Sequence, residues 1–285
     1  MNNNFKERAM QLVFLLAACA SIIAVILICV FMFGNGFPAM GKIGVLEFLT
    51  GTSWKPMQNI YGILPMIVGS IYVTAGAIIL GVPVGLLCAT FMAKFCDGRV
   101  YKILKPAIDL LAGIPSIVYG FFGLVVIVPI MQDIFGTGGK GIITASIMLG
   151  IMILPTIITV SESSIRAVPE SYYQGSLALG ATHERSVFFT VLPAAKSGIM
   201  AAIILGIGRA IGETLAVSMV VGNQPIMPGS ILDGARTMTT NIVLEMGYAT
   251  GLHRESLIAT AVVLFVFILL INMLFNLIKS KGAKD

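Results

Sequence analysis

The sequence predicts an all-α integral membrane protein with six membrane-crossing helices and both termini in the cytoplasm. Three observations carry this reading. Of 285 residues, 57% are hydrophobic and only 11% charged, with a mean hydropathy of +0.98; a soluble domain runs near about 45–50% and 25%. Six apolar stretches reach the roughly 20 residues that a bilayer-crossing helix needs. Lysine and arginine crowd into one set of the loops between them. So few charges cannot cover a water-soluble globule of this size. That excludes a soluble α/β enzyme, a secreted disulfide scaffold and a disordered tail protein.

The first stretch, 9–33, is too long for the core of a cleaved signal. Leu16-Ala17-Ala18-Cys19 imitates a lipoprotein processing box, but the apolar run continues past Cys19, so an uncleaved first span is expected. The second, 61–93, would measure about 50 Å as one straight helix; Pro65 and Pro83 are expected to divide it into a short outer segment and a spanning helix. The remaining stretches are 107–131, 142–160, 198–221 and 257–278. Cys19, Cys29, Cys88 and Cys96 lie within or at the ends of apolar runs and read as small hydrophobes.

With the N-terminus inside, the inner segments hold Lys6, Arg8, Lys94, Arg99, Lys102, Lys105, Arg166, Arg185, Lys196, Lys279, Lys281 and Lys284. The outer loops hold only Lys42, Lys55, Lys140, Arg236 and Arg254. This bias sets the orientation and accounts for the net charge of +5 without nucleic acid. The organisation is then an N-terminal tail, first helix and outer loop over 1–60, a transmembrane domain over 61–278 with an inner loop at 161–197, and a cytoplasmic tail at 279–285. The glycine-rich run at 136–141 lacks the spacing of a phosphate loop and reads as a flexible outer turn. Asp109, beside Lys105, reads as an interfacial cap or surface ion pair.

The inner loop carries the most information. Pro169 can open a helix at its first position, Gly180 suits the turn that ends it, and a second short helix would run to Pro193. His183, Glu184 and Arg185 read as a solvated polar cluster. Small residues on a short helix let a partner approach closely. Gln174-Gly175-Ser176, Gly180 and Leu192-Pro193 occupy the register of the cytoplasmic signature of ABC importer permeases: Glu-Ala-Ala, three residues, Gly, nine residues, then Ile-x-Leu-Pro. Gln174 replaces the glutamate, Gly175 and Ser176 replace the alanines, and Thr190 replaces the isoleucine. Phe48–Pro56, Leu111–Gly120 and Gly208–Thr214 extend the likeness, and over roughly 45–276 the chain resembles the phosphate-specific permease pair, in particular its PstC-type subunit.

The resemblance implies a MetI-like bundle of the type I ABC importer permeases. It also implies a PstA-type second permease, two ATPase subunits that use ATP and magnesium, an extracytoplasmic phosphate-binding protein, and residence in a bacterial or archaeal plasma membrane. The permease itself would perform no chemistry and bind no cofactor. Gln174, Gly175, Ser176, Gly180, Leu192 and Pro193 would dock the ATPase.

Three residues are expected on the path. Arg209 stands near the middle of the fifth stretch, where a charge costs about 2.5–3.5 kcal/mol on insertion scales. Glu213 is four residues on, so both side chains are expected on nearly the same helix face, about 6 Å apart along the axis. Gly208 and Gly212 form a G-x-x-x-G expected to make a close helix contact. Ser116 follows Pro115 in a glycine-rich helix. An internal ion pair between Arg209 and Glu213 is the simpler alternative role. Other readings of the chain are a sulfate or molybdate permease, a secondary transporter coupling protons through Asp109 and Glu213, and a membrane enzyme. The last lacks any nucleophile–base or metal constellation, and the docking loop disfavours the secondary transporter.

Overall fold

A computed structural model describes residues 3–136 and 138–281; Met1, Asn2, Thr137 and the tail residues 282–285, Lys284 among them, lie outside the described residues. The first helix, α1 (Asn3–Ile43), runs unbroken through Pro38 and is far longer than the apolar stretch that announced it. Its C-terminal half packs on the last helix. Gly36 admits Val262 and the Ala259 backbone where a Cβ would collide, and Phe33 meets Phe265 edge-on at 5.9 Å. Most of the large apolar residues between Met10 and Phe31 face outward, as a lipid-facing surface requires.

Gly44, at φ +96°, turns the chain into α2 (Val45–Thr50). A two-stranded hairpin follows, β1 (Trp54–Lys55) with β2 (Ile60–Tyr61), pairing Trp54 with Tyr61. Helix α3 (Leu64–Thr90) has Pro65 in its first turn, where no amide partner is needed, and continues into a π-helical segment, Phe91–Phe95. Pro83 therefore does not divide it: the 32-residue element Leu64–Phe95 is one candidate span.

The third expected span is interrupted. Helix α4 (Gly98–Gly113) ends at Ile114 and Pro115, both extended, and α5 (Ser116–Phe122) restarts beyond them. Ile114 precedes proline, whose ring disfavours the helical conformation there. A π-helical stretch, Gly123–Ile127, leads to α6 (Val128–Phe135). The apolar element is thus Ser116–Phe135, and 107–113 belongs to α4.

Helix α7 (Ile142–Arg166) is the central post, with most of its residues buried. It meets α3 through small residues: Gly76 faces Ser146, Gly81 the Gly150 carbonyl and Ile153, and Gly85 faces Ile157. Close backbone approach supplies the dispersion contact that drives helix association where lipid removes the hydrophobic term.

The 161–197 loop forms α8 (Glu170–Ala178), α9 (His183–Ser186), a π-helical turn at Val187–Val191 and α10 (Leu192–Ala194). Pro169 is the capping residue before α8, not its first position. The second helix passes through Pro193 to Ala194, then bends by 69° into α11 (Lys196–Gly212). Glu213 and Thr214 are not helical, and α12 (Leu215–Val220) follows them, so the fifth expected span is also broken. Among the described residues, five helical elements are long and apolar enough to cross a membrane; the bent pair His183–Gly212 makes a sixth if it counts as one span. After the loop at 222–237 comes α13 (Met238–Met246), then α14 (Gly251–Lys281), which absorbs the first part of the expected tail.

Candidate translocation site and docking segment

The two interruptions lie at one level. A Cβ on Gly120 would sit 2.7 Å from the Ala216 Cα, and one on Gly123 would sit 2.9 Å from Val220 Cγ1. Residues 120 and 123 thus match 216 and 220, so α5 and α12 run side by side in the same direction. Ser116, at the edge of the first break, lies one turn before Gly120, and the non-helical Glu213 and Thr214 stand directly before α12, three and two residues from Ala216. The Tyr119 hydroxyl bridges its own break by donating to the Leu111 carbonyl at 2.8 Å. Non-helical backbone at membrane depth is tolerated only where it is buried in protein or lines a wet cavity.

Arg209 occupies the last turn of α11 and donates from Nη1 to the Thr156 hydroxyl on α7 at 3.1 Å. Glu213 lies beyond the helix end. Its carboxylate accepts the Ala216 amide at 3.0 Å, and its carbonyl accepts the Thr239 hydroxyl, also at 3.0 Å. The expectation of one shared helix face therefore fails, because the helix stops between the two residues. Each charge instead sits at the helix end that suits it, the cation at a carbonyl terminus and the anion at an amide terminus. Among the described residues, no ion pair or hydrogen bond joins Arg209, Glu213 and Ser116 to one another. Ser116 is half-buried at the first turn of α5. Gly208 and Gly212 have nothing within 4 Å of an added Cβ, so their motif makes no helix contact within this chain.

The breaks are thus flanked by the Arg209 guanidinium with the Thr156 hydroxyl, the Glu213 carboxylate and the Ser116 hydroxyl. Among the described residues, no group of three or more His, Cys, Asp or Glu is placed to hold a metal ion.

The docking candidates form a separate surface. Gln174 is exposed and donates to Glu170 at 3.3 Å, one turn back on α8. Gly175 has open space beside it, and the Ser176 hydroxyl accepts from Thr190 at 3.4 Å. Gly180, at φ +84°, closes the helix: its amide donates to Leu177 and that of Ala181 to Ser176, a left-handed cap that glycine adopts without steric cost. Leu192 is half-buried and Pro193 exposed. Sequence reasoning passed over Leu179, which is 91% exposed beside Gly180. His183 is not in a solvated cluster: it hydrogen-bonds Tyr173 at 2.8 Å and meets Phe95 edge-on at 4.7 Å. Glu184, by contrast, is exposed, and hydrogen bonds from its own amide and from Thr182 hold its carboxyl below the usual range. Asp109 does pair with Lys105, at 3.4 Å.

A third cluster, unforeseen in the sequence, centres on buried Glu245 of α13. Its carboxylate accepts from Trp54 Nε1 at 2.9 Å and from Arg236 Nη1 at 2.5 Å, and bonds His253 Nε2 at 2.8 Å. Arg236 also donates to Asn241 and to the Asn223 carbonyl. A cleft of about 430 Å³ opens beside this cluster, lined by Met57, Asn59, Tyr61, Tyr248 and His253 among others. Burial raises the Tyr61 and Tyr248 phenols above their ordinary value.

Residues 81–281 match the family described as "Binding-protein-dependent transport system inner membrane component". The chain is 40% identical over 273 residues to the "Probable ABC transporter permease protein YqgH" of Bacillus subtilis, covering 91% of this chain and 88% of that protein. It is 33% identical over 277 residues to the "Phosphate transport system permease protein PstC" of Mesorhizobium japonicum, covering 89% and 84%. Among solved structures, an inward-facing MetNI methionine ABC transporter superposes with a TM-score of 0.64 at 19% identity, over 81% of this chain and 99% of that one. A bacterial alginate ABC transporter superposes with a TM-score of 0.61 at 14% identity, over 98% and 96%. These two likenesses concern the fold.

Proposed function

Because the chain belongs to the binding-protein-dependent transport system inner membrane components, the multi-pass membrane subunits of ABC importers, we propose that it is the PstC-type permease of a phosphate importer. Its partners on this reading are a PstA-type second permease, two ATPase subunits that bind ATP and magnesium, and an extracytoplasmic phosphate-binding protein. Both termini and the 161–197 loop lie in the cytoplasm, where Gln174, Gly175, Ser176, Gly180, Leu192 and Pro193 contact an ATPase. The division into 1–60, 61–278 and 279–285 belongs to the same reading, with 61–278 as the permease domain.

The observation that carries the proposal is the pair of helix breaks at one level, flanked by Arg209, Glu213 and Ser116. Arg209 attracts the anion. Monoprotonated phosphate carries a P–OH that can donate to the Glu213 oxygen left free by Ala216, a donation that sulfate cannot make at neutral pH. The open face at Gly208 and Gly212 suits close approach of the second permease. A site that binds too tightly cannot conduct, and the carboxylate near the guanidinium keeps the well shallow.

The test is uptake by the assembled complex in vesicles. ATP-dependent accumulation of phosphate, not competed by excess sulfate or molybdate, supports the proposal. Uptake of sulfate or molybdate in preference to phosphate would favour the second reading, a permease for another oxyanion. That reading draws on the 40% identical relative, whose name states no substrate.

A further inference from the structure

Glu162 is a carboxylate with its side chain 3% exposed in the last turn of α7. One oxygen accepts from the Tyr101 hydroxyl at 2.8 Å and from Arg166 Nε at 2.6 Å; the other lies 3.4 Å from Lys105 Nζ. Arg166 also donates to the Met92 carbonyl at 2.7 Å and lies over the Tyr101 ring, 4.5 Å from its centre. Lys105 also meets Asp109, so two cations balance two anions. One buried carboxylate thereby ties together the end of α3, helix α4 and helix α7.

The position of this knot matters more than its strength. Four residues past Arg166 the docking segment begins, and Lys94 clips it to the end of α3 through Glu170, at 3.5 Å, and the Tyr173 ring. At its other end, α4 stops at Gly113, just before the break at Ser116. Stability alone is a poor explanation, because replacing a buried ion pair by packed apolar residues is often neutral or stabilising. The α3–α7 contact farther along is built in that apolar way, from Gly81, Gly85, Ile153 and Ile157.

We infer that Glu162 is a positioning residue for energy coupling: it locks α4 to the docking segment, so that movement imposed on residues 170–180 reaches the break at Ser116 as a rigid displacement. The inference rests on reading 161–197 as the ATPase-docking loop.

The experiment compares wild-type complex with Glu162→Gln, Glu162→Asp and Tyr101→Phe, all with the complete set of partner subunits. Substrate transported per ATP hydrolysed is measured in vesicles. Glu162→Gln is expected to lower that ratio by about fivefold or more, the lower end of measured couplings between sites, while ATP hydrolysis continues. Glu162→Asp is expected to recover part of the loss. An unchanged ratio, including a parallel fall in both rates, overturns the inference. If Glu162→Gln fails to assemble, Tyr101→Phe decides: it keeps every charge, and it too must lower the ratio.

A second measurement does not depend on which anion is carried. Spin labels at the exposed positions Ala178 and Leu110, in a background without the native cysteines, report the distance between docking segment and α4. One narrow distribution is expected with and without ATP in the parent, broadening in Glu162→Gln. A distribution equally narrow in the variant overturns the lock. Failure of the wild-type complex to carry phosphate would instead count against the proposed substrate.

Discussion

Gly120 and Ala216 touch so closely that the glycine has no room for a side chain. That single contact sets the register of α5 against α12, and with it the common level of the two helix breaks. Gly120→Ala is expected to push the helices apart at a cost of about 1–3 kcal/mol, typical of overpacking. The thermal midpoint of the detergent-solubilised complex should fall, and uptake with it. An unchanged midpoint together with normal uptake would show that the two breaks need not stay level.

Arg209 is the cation at that level. Arg209→Gln is expected to cut phosphate uptake by more than about tenfold, the scale of a lost charge-assisted hydrogen bond, in matched amounts of assembled complex. Thr156→Val removes only the hydroxyl that aims the guanidinium and should cost less. Glu213→Gln is expected to impair uptake also, and because its amide oxygen can still accept the Ala216 N–H, α12 should remain folded. Near-normal uptake by both Arg209→Gln and Glu213→Gln would reduce these residues to helix-end complements.

At the docking segment, Gly180→Val forces a β-branched residue into the left-handed region, costing about 1–2 kcal/mol locally. Membrane insertion should persist while substrate-stimulated ATP hydrolysis falls. Leu179→Ser alters a side chain with almost no neighbours, so the chain's own stability should move by less than about 0.5 kcal/mol while co-purification of the ATPase drops. Crosslinks from Ser176 that never reach an ATPase in the assembled complex would remove this surface from the interface.

Glu245 and Arg236 form a pair with side chains 8% and 13% exposed. Glu245→Leu strands the Arg236 cation and is expected to cost about 3–5 kcal/mol. Adding Arg236→Met should restore much of it. The single tryptophan of the chain, Trp54, donates to Glu245 and gives the fluorescence signal for both measurements.

The membrane class, the number of apolar stretches and the left-handed turn at Gly180 were legible because composition, stretch length and glycine chemistry are local properties. The break at Pro115 had a local signal too, and an uninterrupted span was expected there because apolarity continued through it. The break at Glu213 had none: it is stabilised by Ala216 and by Thr239, a residue 26 positions away. For the same reason the four-residue spacing of Arg209 and Glu213 misled, since spacing fixes a face only while the helix continues. Glu162 looked like one polar residue among the serines at 161–164. Its importance came from Tyr101 and Lys105, which sequence distance conceals. The nine residues of α13 are mostly apolar or polar without strong periodicity, and they read as loop.

Helix α13 holds the Glu213 carbonyl through Thr239 at its first turn and the Trp54–Glu245–His253 cluster through Glu245 at its last. Nine residues of helix span only about 13 Å, short enough to act as a stiff strut. Two sites joined by a stiff element obey thermodynamic reciprocity. A displacement of α13 produced by rearranging the Trp54–Glu245–His253 cluster would reach the Glu213 break through Thr239, and any difference in affinity so created at one end would be matched by an equal factor at the other.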